Sequence, residues 1–389
     1  MKAKIITVLM AAFLVMTVFL AQSAAAGTKD IPVGGIFDLS GPTSALGKDY
    51  AQGVMDAVEY ANRNGGVGGV HIRLLSRDYA SEPLKAVSLF KNFRSVDKVF
   101  AIQGWGAADT SALKRLVNKN RIVFMSASYD GSLNKRSPYN FFIGSCYSDH
   151  IRMAMLYAKE NGAGKVCFIY PNHPYGKNPI PAGKEFAKRL GLEIGPDIFV
   201  GLRATDAAPQ LLRLKEFDPD FAWVGGTTPS VTVILKDAAK IGLRTKFLIN
   251  TWGIDEYLSK LAGVAAEGRA FGFIVVRPFG FNVPETDKIK SIAGNINHTL
   301  HYNKAWASMM VMWEGLKRAN TAERLNGPGL KAALETLKDF GTGGLTPPLT
   351  YTKNDHRATT QCGLYTIKGG KLTLVTDVTI EREKNYLGW

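Results

Sequence analysis

From residue 31 onward the chain alternates short β-branched or aromatic runs with longer amphipathic stretches, and this rhythm restricts the fold more than any other feature. Segments 31–37, 71–77, 99–103, 122–125 and 139–144 read as strands. Between them, 46–62, 82–95 and 109–119 have helical spacing; Val54, Ala57, Val58 and Ala61 recur at the i, i+3, i+4, i+7 positions of one face. Strands separated by helices need crossover connections, so the pattern predicts an α/β unit whose parallel sheet is covered by helices on both faces.

The same rhythm restarts after residue 148. Segments 165–170, 221–224, 247–250 and 271–276 are strand-like, while 151–161, 181–190, 208–217 and 231–241 are helix-like. Two α/β units therefore lie in series, which suits a chain of 389 residues better than one large core does. Helical blocks 305–319 and 329–338 follow, then a Gly/Pro-rich turn at 341–348 and strand-like segments 349–353, 363–367 and 372–378. This tail is out of phase with the α/β rhythm, so it is expected to cross between the units and complete one of them. The resulting domains are 27–148 with about 275–348, and 149–274 with about 349–389.

Ahead of this rhythm stands an export signal. Lys2 and Lys4 precede an unbroken apolar run over 5–20, and Ala24, Ala25 and Ala26 supply the small residues of a cleavage site, so 1–26 reads as a secretory signal peptide. The apolar run is shorter than the roughly 20 residues of a bilayer span, and no downstream stretch matches it. A lipid anchor would need a cysteine directly after the cleavage point, whereas the first cysteine is Cys146. The expected location is the periplasm, in solution.

Composition narrows the chemistry further. A hydrophobic fraction of 46% is globular, not disordered. The formal charge is +15, and removing Lys2 and Lys4 leaves 46 basic against 33 acidic residues, or +13. Those charges are scattered, as at Lys85, Lys91, Arg94, Lys184, Lys188 and Arg189, and form no patch interleaved with aromatics, so nucleic acid is not an expected partner. Three cysteines are too few and too dispersed for a disulfide framework or a zinc site. Cys167 lies in an apolar run and is expected to be buried; whether Cys146 and Cys362 pair is open.

Candidate sites point to binding without reaction. The stretch 103–109 reads G-x-G-x-x-D, and Asp109 stands where a dinucleotide fingerprint needs a third small residue, so nucleotide binding is excluded there. Its glycines still expose helix N-terminal N–H groups to an anionic or carbonyl group. Gly65, Gly66, Gly68 and Gly69 mark a turn. No H-E-x-x-H or G-x-S-x-G spacing occurs; His298 and His301 read as a surface pair, and Asp218/Asp220 and Asp255/Glu256 as caps and solvated helix starts. No catalytic set, cofactor or metal is expected.

The segment Ile31-Pro-Val-Gly-Gly-Ile-Phe-Asp-Leu-Ser-Gly-Pro-Thr-Ser-Ala-Leu-Gly47, with Gly53 and Ala61-Asn-Arg-Asn-Gly-Gly-Val-Gly-Gly69, closely resembles the start of the branched-chain amino-acid-binding family, the type I periplasmic binding proteins of ABC importers. Further matches are Arg77-Asp78, Ile122-Val-Phe-Met-Ser-Ala-Ser128, Tyr170-Pro-Asn-His-Pro-Tyr-Gly176, Asp220-Phe-Ala-Trp-Val-Gly-Gly226 and Ala238-Ala-Lys-Ile-Gly-Leu243. The likeness runs almost ungapped from 31 to about 275. It implies a monomeric, two-lobed clamshell with three hinge crossovers that closes over a small molecule and delivers it to an ABC permease. The same fold also serves as an extracytoplasmic sensor module, which is the alternative reading.

By the same resemblance, ligand contacts fall at 40–46, Trp105, Gly106, Ala107 and Ala108, Ser128, Tyr129 and Asp130, Tyr175, Thr227 and Thr228, and Thr251 and Trp252. These are carboxyl ends of strands, where open α/β sheets bind ligands. Amino-acid binders of the family set a serine and a threonine on the ligand carboxylate and an acid on its ammonium; here those positions hold Ala107, Asp130 and Thr251. Losing a charge-assisted bond of about 1.5–3 kcal/mol weakens binding roughly ten- to a hundredfold unless Asp130 replaces the acceptor. Trp105, Tyr129, Tyr175 and Trp252 are expected to ring the cleft, which suits a flat or apolar ligand as well as a leucine-like one.

Overall fold

The computed structural model describes residues 30–133 and 137–383; the expected signal peptide at 1–26 lies outside the described residues. The first half contributes β1 (Ile31–Phe37), α1 (Ser44–Arg63), β2 (Ile72–Asp78), α2 (Pro83–Ser95), β3 (Ala101–Gln103), α3 (Ala107–Asn120), β4 (Val123–Met125) and β5 (Asn140–Phe141). Its strands form one parallel sheet in the order β2-β1-β3-β4-β5.

The second half follows as α4 (Tyr147–Glu160), β6 (Lys165–Tyr170), α5 (Pro174–Lys177), α6 (Ile180–Arg189), β7 (Glu193–Phe199), α7 (Ala208–Phe217), β8 (Phe221–Val224), α8 (Thr228–Lys240), β9 (Lys246–Ile249), α9 (Leu258–Ala262) and β10 (Ala270–Ile274). The chain then returns to the first half through α10 (Glu285–Ala293), α11 (Leu300–Thr321) and α12 (Gly327–Leu334), and ends in β11 (Gln361–Lys368) and β12 (Lys371–Thr379). The second sheet has the order β12-β11-β10-β9-β8-β6-β7, parallel except that β11 pairs antiparallel with both β10 and β12. Three crossings therefore join two sheets flanked by helices.

Strands covered on both faces are apolar along their length, as in β8, where Phe221, Ala222, Trp223 and Val224 are all buried. β7 has no such signature. Its Gly195 and Pro196 interrupt the pattern, and Pro196 is tolerated because β7 is an edge strand whose register slips between Val166 and Phe168. The expected strand at 349–353 forms only isolated bridges, Phe340 with Leu349 and Thr352 with Asp355, because the chain folds back on itself there. The expected strand at 139–144 shortens to β5, since the chain leaves the sheet for the first crossing.

α11 begins five residues earlier than its apolar spacing suggests. Thr299 caps it by accepting from the His301 N–H, and Asp49 of α1 accepts from the Thr299 N–H at 2.9 Å and its hydroxyl at 2.5 Å. Its first turns carry His301, Asn303 and Lys304, polar yet buried, which hides the helix from a hydrophobic pattern.

The crossings are tied by a buried ion pair. Arg357, in the third crossing, donates through Nη1 to both oxygens of Asp149 at 2.9 and 3.2 Å, just beyond the first crossing. Both side chains are fully buried. Tyr351 donates to the Phe142 carbonyl at 3.1 Å, so the same two segments are joined twice. Cys146, Cys167 and Cys362 are free thiols; the Cys146 thiol donates to Asp149, and that of Cys362 lies 3.3 Å from the Met153 sulfur. Among the described residues no helix is long and apolar enough to cross a membrane.

α1 packs along α11 at close range because Gly53 carries no side chain. A Cβ there would sit 2.5 Å from the Tyr302 carbonyl oxygen and 2.9 Å from the Ala305 Cβ, both on α11. Backbone cannot yield as a side chain can. Gly53→Val is therefore expected to lower stability by about 1–3 kcal/mol, read as a fall in the urea midpoint at unchanged slope.

Candidate functional site

The site begins with two buried carboxylates that organise loops rather than meet solvent. Asp38, at the end of β1, accepts from the Gly41 and Thr43 N–H groups at 2.6 and 2.8 Å and from the hydroxyls of Thr43 and Ser81, each at 2.6 Å. It thus fastens the loop after β1 to the loop after β2. Gly47 is required at this turn, since a Cβ would lie 2.1 Å from the Asp38 carbonyl oxygen. Asp109, at the start of α3, accepts from the Trp105 and Gly106 N–H groups at 2.9 and 2.7 Å. Burial pushes its carboxyl up to about 7 although these amide bonds favour the anion.

With both loops fixed, Trp105 is held from two sides. Its indole N–H donates to the Thr43 hydroxyl at 2.9 Å, and its ring meets Tyr50 edge-on at 5.1 Å. Facing it from the second half is Trp252, in the loop after β9, with ring centroids 5.2 Å apart in a T-shaped contact. Trp252 donates its indole N–H to the Tyr147 hydroxyl at 3.0 Å and lies near Tyr129 and Tyr50, at 5.8 and 6.3 Å. Tyr175, in α5, donates to the Gly226 carbonyl at 2.8 Å and packs edge-on against Tyr147.

These groups enclose a cavity of about 270 Å³ between the two sheets, at the carboxyl ends of their strands. Its described lining is Pro42, Thr43, Leu46, Tyr79, Ser81, Trp105, Gly106, Ala107, Ala108, Ala127, Tyr147, His173, Tyr175, Leu202, Thr227 and Trp252. No carboxylate is among them. Burial lowers the one imidazole, His173, below its ordinary range, so it is neutral near pH 7. Ala107 and Ala108 open α3, where backbone N–H groups have no intrahelical acceptor, so this wall can receive an anionic oxygen.

Of the expected contact residues, Trp105, Ala107, Tyr175, Thr227 and Trp252 line this cavity together. Pro42, Thr43, Leu46, Gly106 and Ala108 join them, whereas Ser128, Tyr129, Asp130, Thr228 and Thr251 are outside the described lining. Ser128 is buried, with its N–H on the Ser126 hydroxyl, and Tyr129 backs Trp252. Asp130 accepts from the Ser132 N–H at 2.9 Å and from the Asn178 amide at 2.6 Å, a bond between the two halves of the molecule. Thr251 is fully buried, and its hydroxyl has no partner among the described residues. Asp130 therefore has one oxygen on the Ser132 N–H and the other on Asn178.

Tyr79, Ser81, Ala127, Tyr147, His173 and Leu202 join the lining without having been singled out. Tyr79 directly follows β2, a strand end like the others, so the same rule applied to every strand finds it. Leu202 follows β7, which its own sequence conceals. Against the expected surface pair, His301 is buried and His298 partly so, at 3.1 Å from Asp255 and 2.7 Å from Asp49. Asp255 is buried and Glu256 partly so; Glu256 accepts from the Phe279 and Leu300 N–H groups, binding the second crossing to α11. Among the described residues no cluster of three or more His, Cys, Asp or Glu side chains suits a metal ion.

Two sheets joined by three crossings, closing on a cavity at their strand ends, define a two-lobed periplasmic binding protein of type I. The chain belongs to that family: the Periplasmic binding protein profile matches residues 30–371. Its members bind solutes and are not enzymes. The Leu/Ile/Val-binding protein homolog 2 of Brucella abortus (strain 2308) is 26% identical over 243 residues, covering 61% of this chain and 65% of that protein, just under two thirds of its length. A substrate-binding protein of an ABC transporter from Aeropyrum pernix superposes with a TM-score of 0.87 at 30% identity, covering 92% of this chain and 99% of the other. A branched-chain amino-acid ABC transporter structure from Thermus thermophilus with bound valine gives a TM-score of 0.86 at 22% identity, covering 91% and 97%.

The Asp130–Asn178 bond is a direct test of how the halves are held. Asp130→Ala is expected to cost about 1 kcal/mol, a fall in Tm of roughly 2–4 °C for a chain of this size. Asn178→Ala added to that variant should cost little more, because the two side chains act as a unit; a thermal double-mutant cycle measures this.

Proposed function

We propose that this protein is the periplasmic solute-binding component of an ABC importer, and that its ligand is a small carboxylic acid with a branched or aromatic apolar body. The observation that carries the ligand class is the cavity wall: aromatic rings on several sides, the amino end of α3 on another, and no described carboxylate facing in. Apolar area and stacking hold the body, and the α3 N–H groups receive the carboxylate. An α-amino acid fits the same space, but its ammonium finds no anionic acceptor there, a loss of about 1.5–3 kcal/mol. The Leu/Ile/Val-binding relative supports a branched apolar body.

The proposal includes export with 1–26 as a cleaved signal peptide, monomeric action, and presentation of the closed form to a membrane permease. The lobes divide as 27–148 with about 275–348 and 149–274 with about 349–389, a reading supported by the return of α11 to α1 and by β11 and β12 completing the second sheet. Closure is a hinge motion driven by contacts that the ligand makes with both lobes at once.

A thermal-shift panel of leucine, valine, phenylacetate, benzoate and 3-methylbutanoate tests the ligand class. A binder at one hundred times its dissociation constant adds about 2.7 kcal/mol of stability. The aromatic or branched acids are expected to shift the protein, and a shift confined to the amino acids would refute the assignment.

Binding should also depend on pH through Asp109. An acid raised to about 7 is neutral below that pH and anionic above it. A ligand carboxylate at the amino end of α3 then meets a like charge at pH 8 and none at pH 6, so affinity rises severalfold as pH falls. Titration followed by tryptophan emission measures this, and Asp109→Asn is expected to flatten the profile.

A further inference from the structure

Lys304 is fully buried, yet none of its direct partners is a carboxylate. It sits on α11, in the lobe of α1, and its ammonium nitrogen donates at 2.6 Å to the Thr251 carbonyl, which belongs to the other lobe. The same nitrogen lies 3.9 Å from the centre of the Trp252 ring, on the next residue, and 3.5 Å from His301 Nδ1. Asp255 and Glu256 act on it only at longer range. His301, one turn earlier on α11, stacks nearly parallel to Trp252 and contacts Asp255 of the opposite lobe at 3.1 Å.

Burying an amine costs several kcal/mol unless its hydrogen bonds repay the lost water, and an apolar side chain of the same length would fill this space more cheaply. What Lys304 has that such a side chain lacks is an N–H donor aimed at the backbone of the loop carrying Trp252. The loop's other contacts with the lobe of α1 are made by the Trp252 side chain, through its ring neighbours Trp105, Tyr50, Tyr129 and His301 and its indole N–H to Tyr147, while the Thr251 hydroxyl has no partner among the described residues.

We propose that Lys304 is a positioning residue, which from the opposite lobe fixes the Thr251–Trp252 segment as a wall of the cavity and so sets the ligand that the cavity accepts. Lys304 touches no ligand itself. It acts through Trp252, which lines the cavity and whose ring also meets Lys304 and His301. This inference rests on the cavity being the ligand site, but its first test needs no ligand.

Lys304→Met keeps the stem length and removes the donor; Lys304→Gln keeps an N–H donor without charge. Acrylamide quenching of Trp252, taken as the difference between each protein and its Trp252→Phe counterpart, reads the wall in the free protein. Quenching is expected to rise at least twofold in Lys304→Met and to return toward the wild-type value in Lys304→Gln. With phenylacetate and leucine as probes, whichever binds the wild type should bind Lys304→Met at least tenfold more weakly and Lys304→Gln at an intermediate level. Altered quenching with no probe bound by any variant would support the positioning role while counting against the ligand reading. Wild-type quenching in Lys304→Met, or probe affinity within twofold of wild type, would overturn the inference. Far-UV circular dichroism on each variant confirms that the fold compared is the same.

Discussion

Two lobes can close on a ligand only if the strands between them keep their alignment, and in this molecule that alignment depends on a buried ion pair. Arg357 lies in the third crossing and Asp149 just beyond the first, and neither is exposed. Removing either partner would break a buried pair and leave the other charge to its second partner, Arg152 for Asp149 and Asp355 for Arg357, at a cost of up to about 3–5 kcal/mol. Bonded to each other they hold the crossings side by side, and Arg152 adds a second guanidinium to Asp149 from α4. Glu256 gives the remaining crossing a similar tie by accepting amide protons from Phe279 and Leu300. Each crossing therefore ends on a carboxylate that is spent on structure.

The same economy of buried acids shapes the site. Asp38 and Asp109 lie beside the cavity, but their oxygens are occupied by backbone amides and hydroxyls of the loops they hold. A carboxylate consumed this way is not available to an ammonium group. The lining that remains is aromatic surface and a helix end, which is what supports the proposed ligand, an apolar body bearing an anionic head. Trp252 couples this selection to the lobes: it belongs to one, while Trp105, Tyr50 and His301 meet it from the other.

Much of the fold was legible because the rhythm of strands and helices follows from burial on both faces of a sheet, and β6 and β8 occupy the segments expected from their apolar runs. Where that physics weakens, legibility fails. β7 is an edge strand carrying glycine and proline, and α11 opens with buried polar residues whose partners lie far away in sequence. The family resemblance, whose contact positions fall at strand ends, named Trp105, Ala107, Tyr175, Thr227 and Trp252, and these line one cavity. It could not separate a loop residue that faces the cavity from its neighbour that faces away, so Ser128, Tyr129, Asp130, Thr228 and Thr251 fall outside the described lining. Nor did spacing show that His301 and Asp255 are buried and His298 and Glu256 partly so, since each is satisfied by a group brought close only by the crossings.

The proposed ligand is an apolar carboxylate, a claim that rests on a lining with no described carboxylate to neutralise an ammonium group. Leucine and 4-methylpentanoate share a carbon skeleton and differ only by the amino group, so a calorimetric titration of both against the same protein isolates that contribution. An aromatic-walled cavity without a carboxylate should bind 4-methylpentanoate at least as tightly as leucine. Leucine binding tenfold or more tightly than its deaminated counterpart, a difference of about 1.4 kcal/mol, would contradict the claim and require an ammonium acceptor in the cleft.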